Sequence, residues 1–473
     1  MTEENKKSNE DKLSANKPKK LVDTHGNVFY IESELSQGGQ GVVYRTTDTD
    51  IAIKQPFNSN GKSDIQEKFE KIRMHPLPEG IHVTLPISIL QSEPGYVMRL
   101  LNGMKPLRDL SYNKKVAFEL LKKDVPIWLQ KIEDKDKLSQ LIYYAVTGGA
   151  KKRYQALYKC AAILSELHNL GFVYGDISLN NVFIDNIQFV TKDANGGLSK
   201  IVPIDASIDS TVWLIDADNL RYERKNGGDT VYTQRLGAPE IVQGKDVARP
   251  RTDCWAFGVM AFEMLSLLHP FIGKKVTGAE SEDEDWANED PNDTSFATAA
   301  LDEQAYAGLL PYIYDENDDS NEGLAVLPPG LVFTDNISRL FQETFGVGRT
   351  QPWRRPNMDF WAMEFAHAYD ISLICPGCNM SYFYTMGQCP YCHCKAPDYV
   401  LCKSPRWTKV LQKNTERDIF MLPERMFNSF SVSKCDKKAF EAEVQWEKEI
   451  ILPVRGTEEF PTELSTGFVR ETK

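Results

Sequence analysis

Positive charge is in short supply. The 473-residue chain carries 55 Lys and Arg against 67 Asp and Glu, a net charge of -12. That balance argues against a global nucleic-acid-binding surface, because phosphate backbones are met by basic faces. Residues 1–20 hold no apolar segment and are rich in Lys, Glu, Asn and Ser. No cleavable leader is expected, and residues 1–22 read as a disordered tail. A long uncharged hydrophobic run is also missing. The best candidate, Trp255–Phe271, contains Glu263 and His269, which predicts a buried core helix and no membrane span. Cysteine is sparse, with nine residues in all. In a chain expected to be cytoplasmic, these predict thiols or metal ligands and no disulfides.

What is present divides into two patterns. Between residues 28 and 102, short β-rich runs (Val28–Ile31, Gly41–Tyr44, Ile51–Lys54, Tyr96–Leu100) are separated by Gly, Asp, Asn and Pro, which predicts a small β-lobe. One helix interrupts it, opening on the capping-box sequence Ser63-Asp64-Ile65-Gln66. From about residue 113 the spacing turns helical. Tyr154, Leu157, Tyr158, Ala161, Leu164 and Leu167 share one face, and Gly171 follows as a stop. An acidic stretch at 279–293 reads as a solvated loop. The predicted architecture is α+β and bilobal, a small β-lobe followed by a larger helical lobe.

Four stretches carry chemistry. Asp176 and Asn181 lie five residues apart between apolar runs, a spacing suited to phosphoryl transfer: a carboxylate for the attacking hydroxyl and an amide for magnesium. Upstream, Gly38, Gly39 and Gly41 form a Gly-rich turn whose N–H groups can approach phosphate oxygens. Lys54 sits in the apolar strand Ile51–Lys54 and needs an acidic partner if buried. Glu67 or Glu70 on the following helix could supply it, with Glu67 favoured. Downstream, Val212-Trp213-Leu214-Ile215 leads into Asp216. Asp205, in Ile204-Asp205-Ala206-Ser207, mimics that pattern within a segment, 185–210, that reads as an inserted hairpin.

Taken together these residues resemble the eukaryotic-like Ser/Thr protein kinase superfamily over residues 25–368. The resemblance implies a kinase fold using ATP and Mg2+, with Asp176 orienting the substrate hydroxyl, and Asn181 and Asp216 binding Mg2+. The nucleotide positions would be Gly38, Gly39, Gly41, Val43, Lys54, Glu67, Met98, Leu100 and Asp216. Ala238-Pro239-Glu240, Asp253–Gly258 and Arg355 match further segments, with Arg355 expected to pair with Glu240. Thr233 stands where Ser/Thr kinases keep a Thr beside the catalytic Asp. A narrower resemblance is to bacterial kinases encoded with von Willebrand A domain proteins and metal-dependent Ser/Thr phosphatases. It implies such proteins as partners besides a protein substrate, with no nucleic acid and no membrane.

The departures are specific. His-Arg-Asp reads Tyr174-Gly175-Asp176, which removes the Arg that a phosphorylated activation loop would neutralise, so phosphorylation at Thr230 is not expected to be required. Asp-Phe-Gly reads Asp216-Ala217-Asp218, and Tyr174 is expected to fill the volume left at Ala217. Two alternatives stay open: a pseudokinase scaffold, and a small-molecule phosphotransferase of the aminoglycoside-kinase type.

A second signal follows the lobes. Cys375-x-x-Cys378 and Cys389-x-x-Cys392 present four thiolates for Zn2+. This resembles a zinc ribbon, placed at 369–402 after a kinase domain at 23–368. Residues 403–473, with alternating Phe440, Ala442, Val444 and Trp446, predict a small β-rich module without an assigned role.

Overall fold

The structure, a computed structural model, describes residues 19–38, 41–57, 62–122, 125–192, 198–223, 232–278, 301–397, 399–403, 408–412 and 452–454. Six strands build the first lobe: β1 (Lys20–Val22), β2 (Val28–Gly38), β3 (Gly41–Thr46), β4 (Ile51–Pro56), β5 (Pro86–Ile89) and β6 (Tyr96–Arg99). They form one antiparallel sheet in the order β1-β2-β3-β4-β6-β5. Residues 20–22 therefore leave the expected tail. Leu21 is buried opposite Phe29 and closes one edge of the sheet. Helix α1 (Lys62–Arg73) crosses the sheet and turns Phe69 and Ile72 inward, three residues apart on one face.

The second lobe is built on α2 (Lys114–Leu121), α3 (Lys135–Val146), α4 (Gly149–Asn169), α5 (Pro250–Ser266) and α6 (Met358–Asp370). Helix α4 starts after Gly148, at φ +87°, and ends before Gly171, at φ +81°, the stop expected from sequence. Helix α5 begins with Pro250 at its first position, where a missing N–H costs nothing. It is buried nearly all round by Phe257, Val259, Met260, Phe262 and Leu265. Its apolar run is thus explained by a core position, and among the described residues no helix is long and apolar enough to cross a membrane.

Short strands sit between the lobes. β7 (Lys105–Pro106), β9 (Val182–Ile184) and β12 (Val212–Leu214) form one sheet, and β8 (Phe172–Val173) pairs with β13 (Arg221–Tyr222). β10 (Val190–Lys192) and β11 (Leu198–Ile201) make the inserted hairpin; the residues joining them, 193–197, lie outside the described residues. Strands β14 (Ser372–Ile374) and β15 (Ser381–Phe383) continue directly from α6. β16 (Tyr399–Lys403) pairs with β17 (Thr408–Gln412) and β18 (Leu452–Val454). The alternating run at 440–446 and the acidic stretch at 279–293 lie outside the described residues.

Candidate active site

The loop 174–181 is fixed from below. Asp253, in the first turn of α5, accepts hydrogen bonds from the backbone N–H of Tyr174 (2.8 Å) and Gly175 (2.9 Å). His168 reaches the same carboxylate at 3.0 Å. Burial alone would lower the His168 pKa, but the bond to Asp253, helped by Cys254, raises it to about 9. Gly175 adopts φ +82°, a conformation that disfavours the Arg expected from the family pattern. Tyr174 and Ala217 are both buried, and the Tyr174 hydroxyl donates to the Ile215 carbonyl. Tyr174 thereby ties the loop to the residue preceding Asp216.

Asp176 is held on both oxygens. Thr233 Oγ1 donates to Oδ1 at 2.8 Å, and Asn181 Nδ2 donates to Oδ2 at 3.1 Å. Asn181 also accepts the Ile215 N–H on its carbonyl at 2.9 Å. Two segments that sequence reading joined only by resemblance therefore meet at adjacent residues. Asp205 lies elsewhere: it is exposed, and its side chain caps its own turn through Ser207.

Lys54 enters from β4 and is buried. Its ammonium bonds Asp216 Oδ1 and lies 2.9 Å from Asp218 Oδ2. Burial alone would lower its pKa, but Asp218 and Asp216 outweigh that and raise it. Burial and the neighbouring Asp218 raise the pKa of Asp216, against the pull of Lys54. The expected pairing of Lys54 with Glu67 is corrected here. Glu67 is exposed and bonds Lys71 at 2.6 Å, one turn along α1, while Glu70 bonds Arg73 at 2.6 Å. The reason is geometric: Phe69 and Ile72 occupy the inner face, and at 100° per residue Glu67 falls on the far side. The missed partner, Asp218, was signalled by that same apolar spacing and by being a second acid two residues after Asp216; the Tyr96 hydroxyl in turn donates to Asp218 at 2.7 Å.

The other nucleotide positions line the sheet. Val43 sits opposite Lys54 in the β3–β4 register, and Gly38 opposite Gly41 at the end of β2–β3. Gly39 lies outside the described residues. A Cβ on Gly41 would collide with the Gln55 carbonyl, so this glycine is required by the approach of β4. Met98 and Leu100 are half-buried, and the Leu100 N–H is already taken by the Asp50 carbonyl at 2.8 Å. Thr230 lies outside the described residues.

Glu240 and Arg355 make the expected pair, at 2.6 and 2.8 Å through both guanidinium ends. Beside Ser178, Asn180 and Thr233, a cavity of about 740 Å³ extends to Glu263, His269 and Tyr306. Across it Arg235 bonds Glu263 at 2.9 Å and faces the Tyr306 ring at 4.6 Å.

The four cysteines converge. The sulfurs of Cys375, Cys378, Cys389 and Cys392 all lie within 4.8 Å of one another, with Cys375–Cys392 at 3.4 Å and Cys378–Cys389 at 3.5 Å. Tetrahedral Zn–S bonds of about 2.3 Å place sulfurs ~3.8 Å apart, so the donor set is compatible with zinc. The ribbon is seated on the helical lobe: Lys151 donates to the Ser372 carbonyl at 2.6 Å, and Asn379 to that of Ala145 at 3.1 Å. For magnesium, Asp216 and Asn181 offer the hard oxygen donors it prefers.

Residues 117–301 match the family described as the protein kinase domain. A human protein named ribosomal protein S6 kinase alpha-6 is 32% identical over 118 residues, 25% of this chain and 13% of the relative. A putative serine/threonine-protein kinase/receptor R818 from Acanthamoeba polyphaga mimivirus is 24% identical over 258 residues, 53% of this chain and 13% of that protein. The matches thus span a small fraction of these relatives' length. The β-sheet lobe and helical lobe fit a bilobal kinase fold, and the helical lobe is where the chain is similar to the protein kinase domain.

Proposed function

We propose that this chain is a protein kinase that transfers the γ-phosphoryl group of ATP to Ser or Thr hydroxyls of a protein substrate. The observation carrying this reading is the convergence of Thr233, Asp176 and Asn181 on one side, joined through Ile215 to Asp216 and Lys54 on the other. Asp176, with each oxygen held, orients the acceptor hydroxyl and takes its proton. Lys54 bears on the nucleotide phosphates. The Asn181 side-chain nitrogen is spent on Asp176, which leaves its side-chain Oδ1 and Asp216 as the groups that would hold Mg2+. Held there, Mg2+ would supply charge compensation for the phosphates. Thr233 beside Asp176 favours Ser/Thr acceptors, and the cavity next to them gives a polypeptide room to dock. The four thiolates would hold Zn2+ as a staple for a ribbon too small to carry its own core.

Incubation with labelled ATP and magnesium tests this. Label should reach protein with the wild type and fall about 10²–10⁴-fold in Asp176→Ala, with a large loss also in Lys54→Met. Label only on added small molecules would support the aminoglycoside-kinase type instead. No label at all, with partner binding retained, would support a scaffold.

A further inference from the structure

Lys54 is held by Asp216 and Asp218, and among the described residues none of its partners comes from helix α1. The two glutamates of α1 that could reach toward the sheet are turned away, each engaged with a base on its own helix. Asp218 is a second carboxylate on the ammonium, beside Asp216. It is buried, as is Lys54, and both of its oxygens are used: Oδ2 on Lys54 at 2.9 Å, and Oδ1 on the Tyr96 hydroxyl at 2.7 Å. Tyr96 is itself buried on β6, in register with Lys54, and its ring meets Phe69 of α1 edge-on at 4.5 Å. The helix therefore touches this network through an aromatic ring, and Glu67 and Glu70 add no charge to it.

We infer that Asp218 is the positioning residue for Lys54, replacing a carboxylate from α1. This rests on the kinase reading and deepens it. Asp216 also bonds Lys54 through Oδ1, but it is the carboxylate assigned to magnesium, and a bound cation would compete with the ammonium for it. Asp218 has no free oxygen to follow. It keeps the ammonium in place when Asp216 is committed elsewhere, and Tyr96 keeps Asp218 from rotating. Two consequences follow. The lysine is anchored by the same short turn, 216–218, that supplies the metal ligand, so both groups are set together. A change confined to Glu67 leaves the Lys54 anchor intact.

Two double-mutant cycles decide it, with kcat and KM for ATP measured separately. Asp218→Asn should lower kcat/KM about 100-fold, as expected for a misplaced catalytic group. In a Lys54→Met background the same change should cost less than about twofold, because its effect passes through Lys54. A purely structural role would instead multiply the two losses, and that result overturns the inference. Glu67→Gln should change kcat/KM by less than about twofold; a loss matching that of Asp218→Asn also overturns it. Tyr96→Phe keeps the site testable if Asp218→Asn fails to fold, and should give a smaller loss that again vanishes with Lys54→Met. The second cycle reads thermal unfolding. Lys54→Met and Asp218→Asn should be non-additive, whereas Lys54→Met and Glu67→Gln should add. If the wild type transfers no label yet this cycle is non-additive, the kinase reading fails and the pairing stands. If the wild type transfers label and the cycle is additive, the reading stands and the pairing fails.

Discussion

The nucleotide cleft and the four-cysteine ribbon both gather charged or ionisable groups at a point, but they do so over very different chain distances. Lys54 and Asp218 are 164 residues apart in sequence, and Lys54 and Asp216 are 162 apart. Cys375 and Cys392 are separated by 17. In the ribbon, two tight knuckles set the sulfur positions almost by themselves, and β14 and β15 close the gap between them and the lobe. In the cleft, Lys54 comes from β4 and its carboxylates from the turn at 216–218, and the partner is whatever the packing of the lobes brings near. A local site is robust to changes elsewhere in the fold; a site assembled at long range is only as accurate as the contacts that position its parts.

The comparison can be broken most severely at the ribbon. Cys375→Ser should release stoichiometric metal and lower stability by more than about 5 kcal/mol, since structural zinc supplies folding free energy directly. Metal analysis with denaturant unfolding checks it. Unfolding should reach α3 and α4, because Lys151 and Asn379 tie the ribbon to them. A variant that loses metal while keeping full stability would show that the sulfurs are held by the lobe and not by their own turns.

The next effect falls on a long-range contact of the helical lobe. Arg355→Met leaves Glu240 without its bidentate partner in a buried setting. A loss of about 3–5 kcal/mol is expected from stranding that carboxylate, measured by thermal or denaturant unfolding. Paired replacement with Glu240→Gln should recover part of it, which would separate the stranded charge from the lost contact.

The smallest effect sharpens the role of Asp253. His168 binds its proton more tightly folded than unfolded, with its pKa raised from 6.5 to about 9. Its stabilisation is therefore fully present below about pH 6.5 and is lost as pH rises through about 9. Thermal midpoints across that window should fall for the wild type, and His168→Gln should remove this part of the slope. An unchanged slope would mean that Asp253 holds the 174–175 backbone without help from a charged histidine.

Much of this was legible in the sequence because it rests on local spacing. The helix stop at Gly171, the inserted hairpin and the cysteine knuckles each follow from a few adjacent residues. The two edge strands were not. β1 is three residues long, and β5 opens on Pro86, a residue that sheets tolerate at such positions but that weakens the strand signal. Glu67 was expected at Lys54 because a buried ammonium requires a carboxylate. The requirement held, but a different acid met it.

By itself the sequence determined that a buried lysine, a loop aspartate with its asparagine, and four thiolates would each need company of a particular kind. Electrostatics and ligand chemistry impose that need wherever the groups are placed. Only the tertiary structure decided who answers it. Phe69 and Ile72 turn α1 so that its glutamates face outward, and Asp218 lies within reach of Lys54. The physical reason is that apolar burial fixes how a helix is rotated, whereas an ammonium accepts any carboxylate that the resulting geometry brings near.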